Sequence, residues 1–142
     1  MSALRDCVFC QIVAGLAPAH RVHEDDLTLS FLDIEPASRG HVLIVPKRHF
    51  ADLFSADEAA LARVAANCRR VALAQRRALA PDGIAVQQLN GAAAGQSVFH
   101  YHVHLIPRSA GAPHAAHGRA LARPEELART AAALAAELRE IA

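Results

Sequence analysis

Tryptophan is absent from the 142-residue chain, tyrosine occurs once and phenylalanine five times. Proteins that hold single-stranded nucleic acid stack its bases on aromatic side chains beside a basic groove. Arg63, Arg69, Arg70, Arg76 and Arg77 have no such aromatics among them, so they read as a solvated helix face. Excess charge is lacking too: the formal net charge is +1. That leaves no broad field for nucleic acid, and any recognition of phosphate has to be local. No apolar run approaches the ~18 residues of a membrane span, and Met1-Ser2-Ala3-Leu4-Arg5-Asp6 has no apolar core of a secretion signal. A cytoplasmic protein with no membrane partner is expected. Cysteine is scarce and odd in number, at positions 7, 10 and 68, which argues against a disulfide framework. Internal repeats and linker-like stretches are also missing.

What is present fits one compact core, with 53% of residues hydrophobic and 20% charged. The stretch that asks for an explanation is Phe99-His100-Tyr101-His102-Val103-His104-Leu105-Ile106-Pro107. Strict alternation predicts a half-buried strand, with His100, His102 and His104 on one face and Tyr101, Val103 and Leu105 on the other. Three imidazoles are a costly way to fill a core, because every buried ring nitrogen needs a partner. Two chemistries use such a row: metal binding, or proton and nucleophile chemistry on an anionic substrate.

The rest of the chain reads in order. Residues 7–16 form a short helix with Phe9, Ile12, Val13 and Leu16 at helical spacing. Residues 20–24 and 27–33 make a hairpin about Asp25-Asp26, and residues 41–46 make an apolar third strand after the Pro36 to Gly40 loop. Ser55-Ala56-Asp57-Glu58 has the order of a capping box. It opens a long helix whose apolar face carries Leu61, Val64, Cys68, Val71 and Leu79, and which stops at Pro81-Asp82-Gly83. Residues 84–90 are a fourth strand. The small-residue loop 91–97 then leads into the histidines, and its amides can hold an anion, which favours phosphate chemistry over a bare metal row. Residues 109–118 read as irregular, with His114 and His117 as tail composition, and Pro124-Glu125-Glu126 opens a last helix to about Ile141. Cys7-Val8-Phe9-Cys10 is either half of a zinc site or a pair of buried thiols. Strands with inserted helices and hairpin-length connections predict an α+β domain on an antiparallel sheet.

Taken together, His100-Tyr101-His102-Val103-His104-Leu105-Ile106, Phe31-Leu32-Asp33-Ile34, Gly40-His41, Pro46-Lys47-Arg48-His49 and Asn90-Gly91 before Gly95-Gln96-Ser97-Val98 resemble the histidine triad (HIT) family of nucleotide-binding hydrolases and transferases. The resemblance covers about residues 7–108. It implies a HIT-like α+β fold: a five-stranded antiparallel sheet with a long central helix, a short N-terminal helix and a C-terminal helix. Residues 1–108 would form the HIT domain, and 109–142, which match no family pattern, an irregular segment and helix of the same compact unit.

The resemblance also implies a purine nucleotide as substrate and a homodimer. Phe9, Ile12, Phe31, Ile34 and Leu43 would make the base slot, with Asp33 reading the ribose hydroxyls. Asn90, Gln96, Ser97 and Val98 would line the phosphate side, where Ser97 would join the catalytic set. His102 would be the nucleophile that attacks the α-phosphorus, His104 would donate to phosphate oxygens or the leaving group, and His41 would orient the site. Some bacterial members hold a structural zinc, and the matching ligands here are Cys7, Cys10, His49 and His100. Such a closed set would contribute to folding, with no organic cofactor required. The implied activity is hydrolysis of nucleoside phosphoramidates or dinucleoside polyphosphates. The alternative is a nucleotide-binding module with little turnover.

Overall fold

The computed structural model describes residues 5–116 and 118–142. Met1 to Leu4, most of the N-terminus read above, and His117 lie outside the described residues. The elements run α1 (Val8–Val13), β1 (Arg21–Glu24), β2 (Thr28–Leu32), β3 (Val42–Pro46), α2 (Glu58–Leu79), β4 (Gly83–Gln87), β5 (Val103–Arg108) and α3 (Pro124–Leu138), with short 3-10 turns at Leu53–Ser55 and Ala92–Ala94. The five strands form one antiparallel sheet in the order β1-β2-β3-β5-β4. Among the described residues no helix is long and apolar enough to cross a membrane.

Strand period sorts the side chains. On one face Leu32, Val42, Ile44, Val103 and Leu105 pack with Val64, Val71 and Ala74 of α2 and with Leu127, Leu134 and Leu138 of α3. On the other face Leu29, Phe31, Leu43 and Val45 pack with Cys7, Phe9 and Ile12 of the α1 segment. The C-terminal helix thus shares a core with the sheet and α2, and the α1 segment packs on the second face together with Ala17, Ala19 and Val98.

Polar anchors set the register between layers. Asn67 of α2 is fully buried and donates to Asp25 Oδ2 and to Thr28 Oγ1, both at 2.8 Å. This pins the first hairpin to the helix. Gln75, also fully buried, donates to the carbonyls of Gly40 (2.9 Å) and Leu105 (3.1 Å). Gly40 has φ +85°, and a Cβ there would collide with Leu79. Glycine is therefore the residue that lets the loop before His41 lie against α2. Of the five arginines, Arg69, Arg76 and Arg77 are exposed. Arg63 instead pairs with Asp26 at 2.7 Å, and Arg70 donates to the Ile141 carbonyl at 3.3 Å.

Two local expectations change. The long helix is capped by Asp57, whose carboxylate accepts from Ala60 N at 3.0 Å. Ser55 ends the preceding 3-10 turn and gives its hydroxyl to Asp52 at 3.1 Å, so it has no part in a capping box. The histidine strand is also shorter than the alternation predicts, beginning at Val103 and buried on both faces. His100 to His102 precede it outside the strand ladder, where Tyr101 N donates to Phe50 O in the loop after β3. The alternation of faces survives this: Tyr101 joins the helix-side core, and the histidines face α1.

Candidate active site and metal centre

Each triad histidine has a different environment. His102 Nδ1 lies 2.7 Å from the backbone carbonyl of His100. A carbonyl only accepts, so Nδ1 carries the hydrogen and the lone pair of the neutral ring is on Nε2. Phe9 sets its ring edge-on to His102, with centroids 5.1 Å apart and planes at 83°.

His104 belongs to a second, directional chain. The amide of Ala37 donates to His41 Nδ1 at 3.0 Å, so the hydrogen of neutral His41 is on Nε2. That nitrogen is 2.9 Å from His104 Nδ1, which must accept, and His104 therefore carries its hydrogen on Nε2. Asp33 Oδ2 lies 3.7 Å from His41 Nε2, and Asp33 Oδ1 accepts from Glu35 N at 2.8 Å. Leu43 faces His104 across the β3–β5 ladder. The histidines at 102 and 104 stand with ring centroids 4.9 Å apart. One presents a lone pair and the other a hydrogen.

His100 turns to a different partner set. Its Nε2 donates to the carbonyl of Pro46 at 2.8 Å, which puts the lone pair on Nδ1. Nδ1 lies 3.3 Å from Cys7 Sγ, 3.5 Å from Cys10 Sγ and 3.1 Å from His49 Nδ1, and Cys10 Sγ is 3.2 Å from His49 Nδ1. A tetrahedral zinc site with bonds of ~2.0–2.3 Å spaces its ligand atoms by roughly 3.3–3.8 Å. Two sulfurs and two imidazole nitrogens at these separations fit that metal. Burial pushes the His100 imidazole down to about 4, against the hydrogen bond to Pro46, so the ring is a neutral ligand. Burial likewise pushes the metal-free Cys10 thiol up to about 11, reinforced by Cys7. A row in which all three triad histidines share one metal does not match: His100 Nδ1 faces the cysteines and His102 Nδ1 is spent on a carbonyl. Asp33, His41 and His104 also offer ligand atoms close together, but His41 Nε2 carries a hydrogen and cannot ligate in this tautomer.

Of the residues read as the base slot, Phe9, Ile12, Phe31 and Leu43 come together as a buried cluster, with Val98 against it. Ile34 does not join them. It lies past the end of β2, 52% exposed, and its carbonyl accepts from Ala122 N at 2.9 Å. In the loop before the triad, Gln96 is buried and acts as a brace: Oε1 accepts from Gly91 N at 2.7 Å and Nε2 donates to Ala51 O at 2.7 Å. Asn90 Oδ1 accepts from Leu53 N at 2.8 Å, and Asn90 also pairs with Gln88. Ser97 is exposed and lines an open hollow of about 640 Å³ with Asp6, Cys7, Val8, His49, Val98 and Phe99. Sequence reasoning missed the backbone groups at Pro46 and Ala37 that set two tautomers, since a carbonyl comes with every residue and an amide hydrogen with every residue but proline.

Comparison with known proteins shows the family and the fold. Residues 14–111 match the model of the HIT domain. The chain is 44% identical over 106 residues to "Adenylylsulfatase HINT3" of Arabidopsis thaliana, covering 72% of this chain and 52% of that protein. A crystal structure of a Zn-bound histidine triad family protein from Mycobacterium smegmatis superposes with TM-score 0.86 at 39% identity, over 96% of this chain and 95% of that one. A Hit-like protein from Bartonella henselae, described as involved in cell-cycle regulation, superposes with TM-score 0.87 at 34% identity, over 94% and 97% of the two chains. A matched domain model over most of the chain, the ordered histidines and a shared sheet place this chain in the histidine triad (HIT) family.

Proposed function

We propose that the protein is a purine nucleotidyl hydrolase that cleaves at the α-phosphate of nucleoside phosphoramidates or dinucleoside polyphosphates. The observation that carries this reading is the opposite polarity of two neighbouring imidazoles. His102 offers the Nε2 lone pair, held in that tautomer by the His100 carbonyl. His104 offers Nε2–H, fixed by the relay from Ala37 N through His41.

In the first step His102 Nε2 attacks the α-phosphorus and the bond from phosphorus to the leaving group breaks, while His104 Nε2–H hydrogen-bonds to the leaving nitrogen or oxygen, which takes its proton from solvent. Water then attacks the same phosphorus and releases its proton to solvent. The phosphorus–nitrogen bond breaks, and nucleoside monophosphate leaves with His102 Nε2 restored. The fixed donors need no reorganisation as charge develops on the phosphoryl oxygens. Phe9, Ile12, Phe31 and Leu43 take the purine, with Ile34 at the rim. The Asp33 carboxylate reads the ribose diol, and Ser97 with the loop amides faces the phosphate. The relative named adenylylsulfatase supports an adenylyl compound as the substrate class.

Cys7, Cys10, His49 and His100 would hold a zinc ion with all four positions taken by protein, and the metal would supply a structural cross-link of the α1 segment to the sheet. The named zinc-bound neighbour supports this. A homodimer would form along the edge strand β4, where Val86 is 58% exposed. The test is turnover of adenosine 5′-phosphoramidate: release of AMP that is lost in His102→Ala supports the hydrolase. Tight nucleotide binding without turnover would identify a binding module instead.

A further inference from the structure

The two polar centres on the α1 face share a residue. His100 directs Nδ1 to the cysteine–histidine cluster while its backbone carbonyl accepts the Nδ1–H of His102 at 2.7 Å. A second bridge runs through α1. Phe9, between Cys7 and Cys10, sets its ring edge-on to His100 (centroids 5.9 Å apart), His102 (5.1 Å) and Phe31 (5.5 Å). At six residues, α1 is well below the ~12 that an isolated helix needs to persist. Its position depends on what its side chains are tied to.

We propose that Phe9 and His100 are positioning residues through which the metal centre orients His102 and closes the base slot. The inference rests on the readings of His102 and of the metal centre given above. With the centre filled, Cys7 and Cys10 fix the Phe9 ring, and His100 is held through both ring nitrogens, one by metal and one by the Pro46 carbonyl. Its own carbonyl is then a stationary acceptor, and His102 has a single tautomer. With the centre stripped, thiol–imidazole contacts and the edge of the Phe9 ring join α1 to His49 and His100, and no metal bond ties them. The acceptor and the slot wall loosen together. The metal therefore does more than raise stability: its occupancy sets nucleotide affinity and the state of the nucleophile.

Such coupling is reciprocal. If zinc strengthens AMP binding by some factor, AMP strengthens zinc binding by the same factor. The experiment uses the full chain, AMP and Zn²⁺. AMP is titrated into zinc-loaded and chelator-stripped protein at a temperature where both keep the same far-UV circular dichroism, and chelator competition for zinc is run with and without saturating AMP. Stripping is expected to weaken AMP about tenfold, with an equal shift in the competition midpoint. The ¹⁵N signals of His102 should report Nδ1–H in the loaded form and a mixture of tautomers in the stripped one. His49→Ala should reproduce the stripped form, and His49→Cys, which restores a fourth ligand, should rescue it. A folded stripped protein with unchanged AMP affinity and an unchanged His102 tautomer overturns the inference. If stripping unfolds the chain, cobalt-loaded protein decides: visible bands that shift on AMP binding support the coupling, and unchanged bands overturn it. Failure to bind any metal refutes the metal centre itself, whereas metal and AMP binding without coupling refutes only the link between them.

Discussion

The two faces of the sheet come from the same strands and bury different things. Toward α2 and α3 the strands give Leu32, Val42, Ile44, Val103 and Leu105, an apolar interior crossed by the hydrogen bonds of Asn67 and Gln75 from α2. Toward α1, β5 and the residues before it give three buried imidazoles, each held by an acceptor or donor that selects one tautomer. A shift of one residue along this segment exchanges Leu105 for His104. The difference teaches that period-two alternation lets a single strand carry stability on one side and chemistry on the other, so the two should respond separately to substitution.

The sharpest way to break that separation is on the histidine side. His102→Ala is expected to lower phosphoramidate turnover about ten-thousandfold, while AMP affinity stays within about tenfold. Steady-state kinetics beside a calorimetric AMP titration reads both. The matching change on the other face is Leu105→Ala, at a fully buried position. It is expected to cost about 3 kcal/mol in urea unfolding, with kcat unchanged within about twofold below the transition.

How far these faces were legible in the sequence follows from their residues. The triad showed because imidazoles at alternate positions are rare as filling and carry their spacing openly. The CxxC showed, and its partners His49 and His100 came only from resemblance, since they lie 39 and 90 residues beyond Cys10. The cap of α2 was misread because Ser55 and Asp57 are both good caps in sequence, and the 3-10 turn at Leu53–Ser55 that occupies Ser55 depends on Asp52. Asn67 and Gln75 stand at helical spacing within the apolar face of α2, and as polar residues they give no core signal in the sequence. Their burial depends on partners at Asp25, Thr28, Gly40 and Leu105, far away in the chain.

Asn67 gives a third test, of intermediate size. Burial pushes the Asp25 carboxyl up, but hydrogen bonds from Asn67 and from the amides of Leu27 and Thr28 win and hold it well below its ordinary 3.8. His23 and Arg63 face the same carboxylate at 3.8 and 3.5 Å. A folded value below the unfolded one gives stability that is complete above the unfolded value and lost as pH falls toward the folded one. Asn67→Ala should cost about 2 kcal/mol at pH 7. Denaturation midpoints followed from pH 5 to pH 2 should fall less steeply in that variant than in the parent. A parallel pair of curves would show that Asn67 does not act through the carboxylate.

The smallest expected effect concerns the sheet edge. Val86→Lys, at an exposed site on β4, should change stability by no more than about 0.5 kcal/mol. It should turn a dimer into a monomer at micromolar concentration by sedimentation. A parent that is already monomeric would remove the dimer from the account.

The chemical role of the histidine face is tested most directly by trapping the covalent species. Protein mixed with excess adenosine 5′-phosphoramidate, quenched in alkaline denaturant within one turnover and digested, should yield one peptide heavier by an adenylyl group. The group should sit on His102, and no adduct should form in His102→Ala. Turnover that proceeds with no adduct, or an adduct carried by His100, His104 or another residue, would contradict the account.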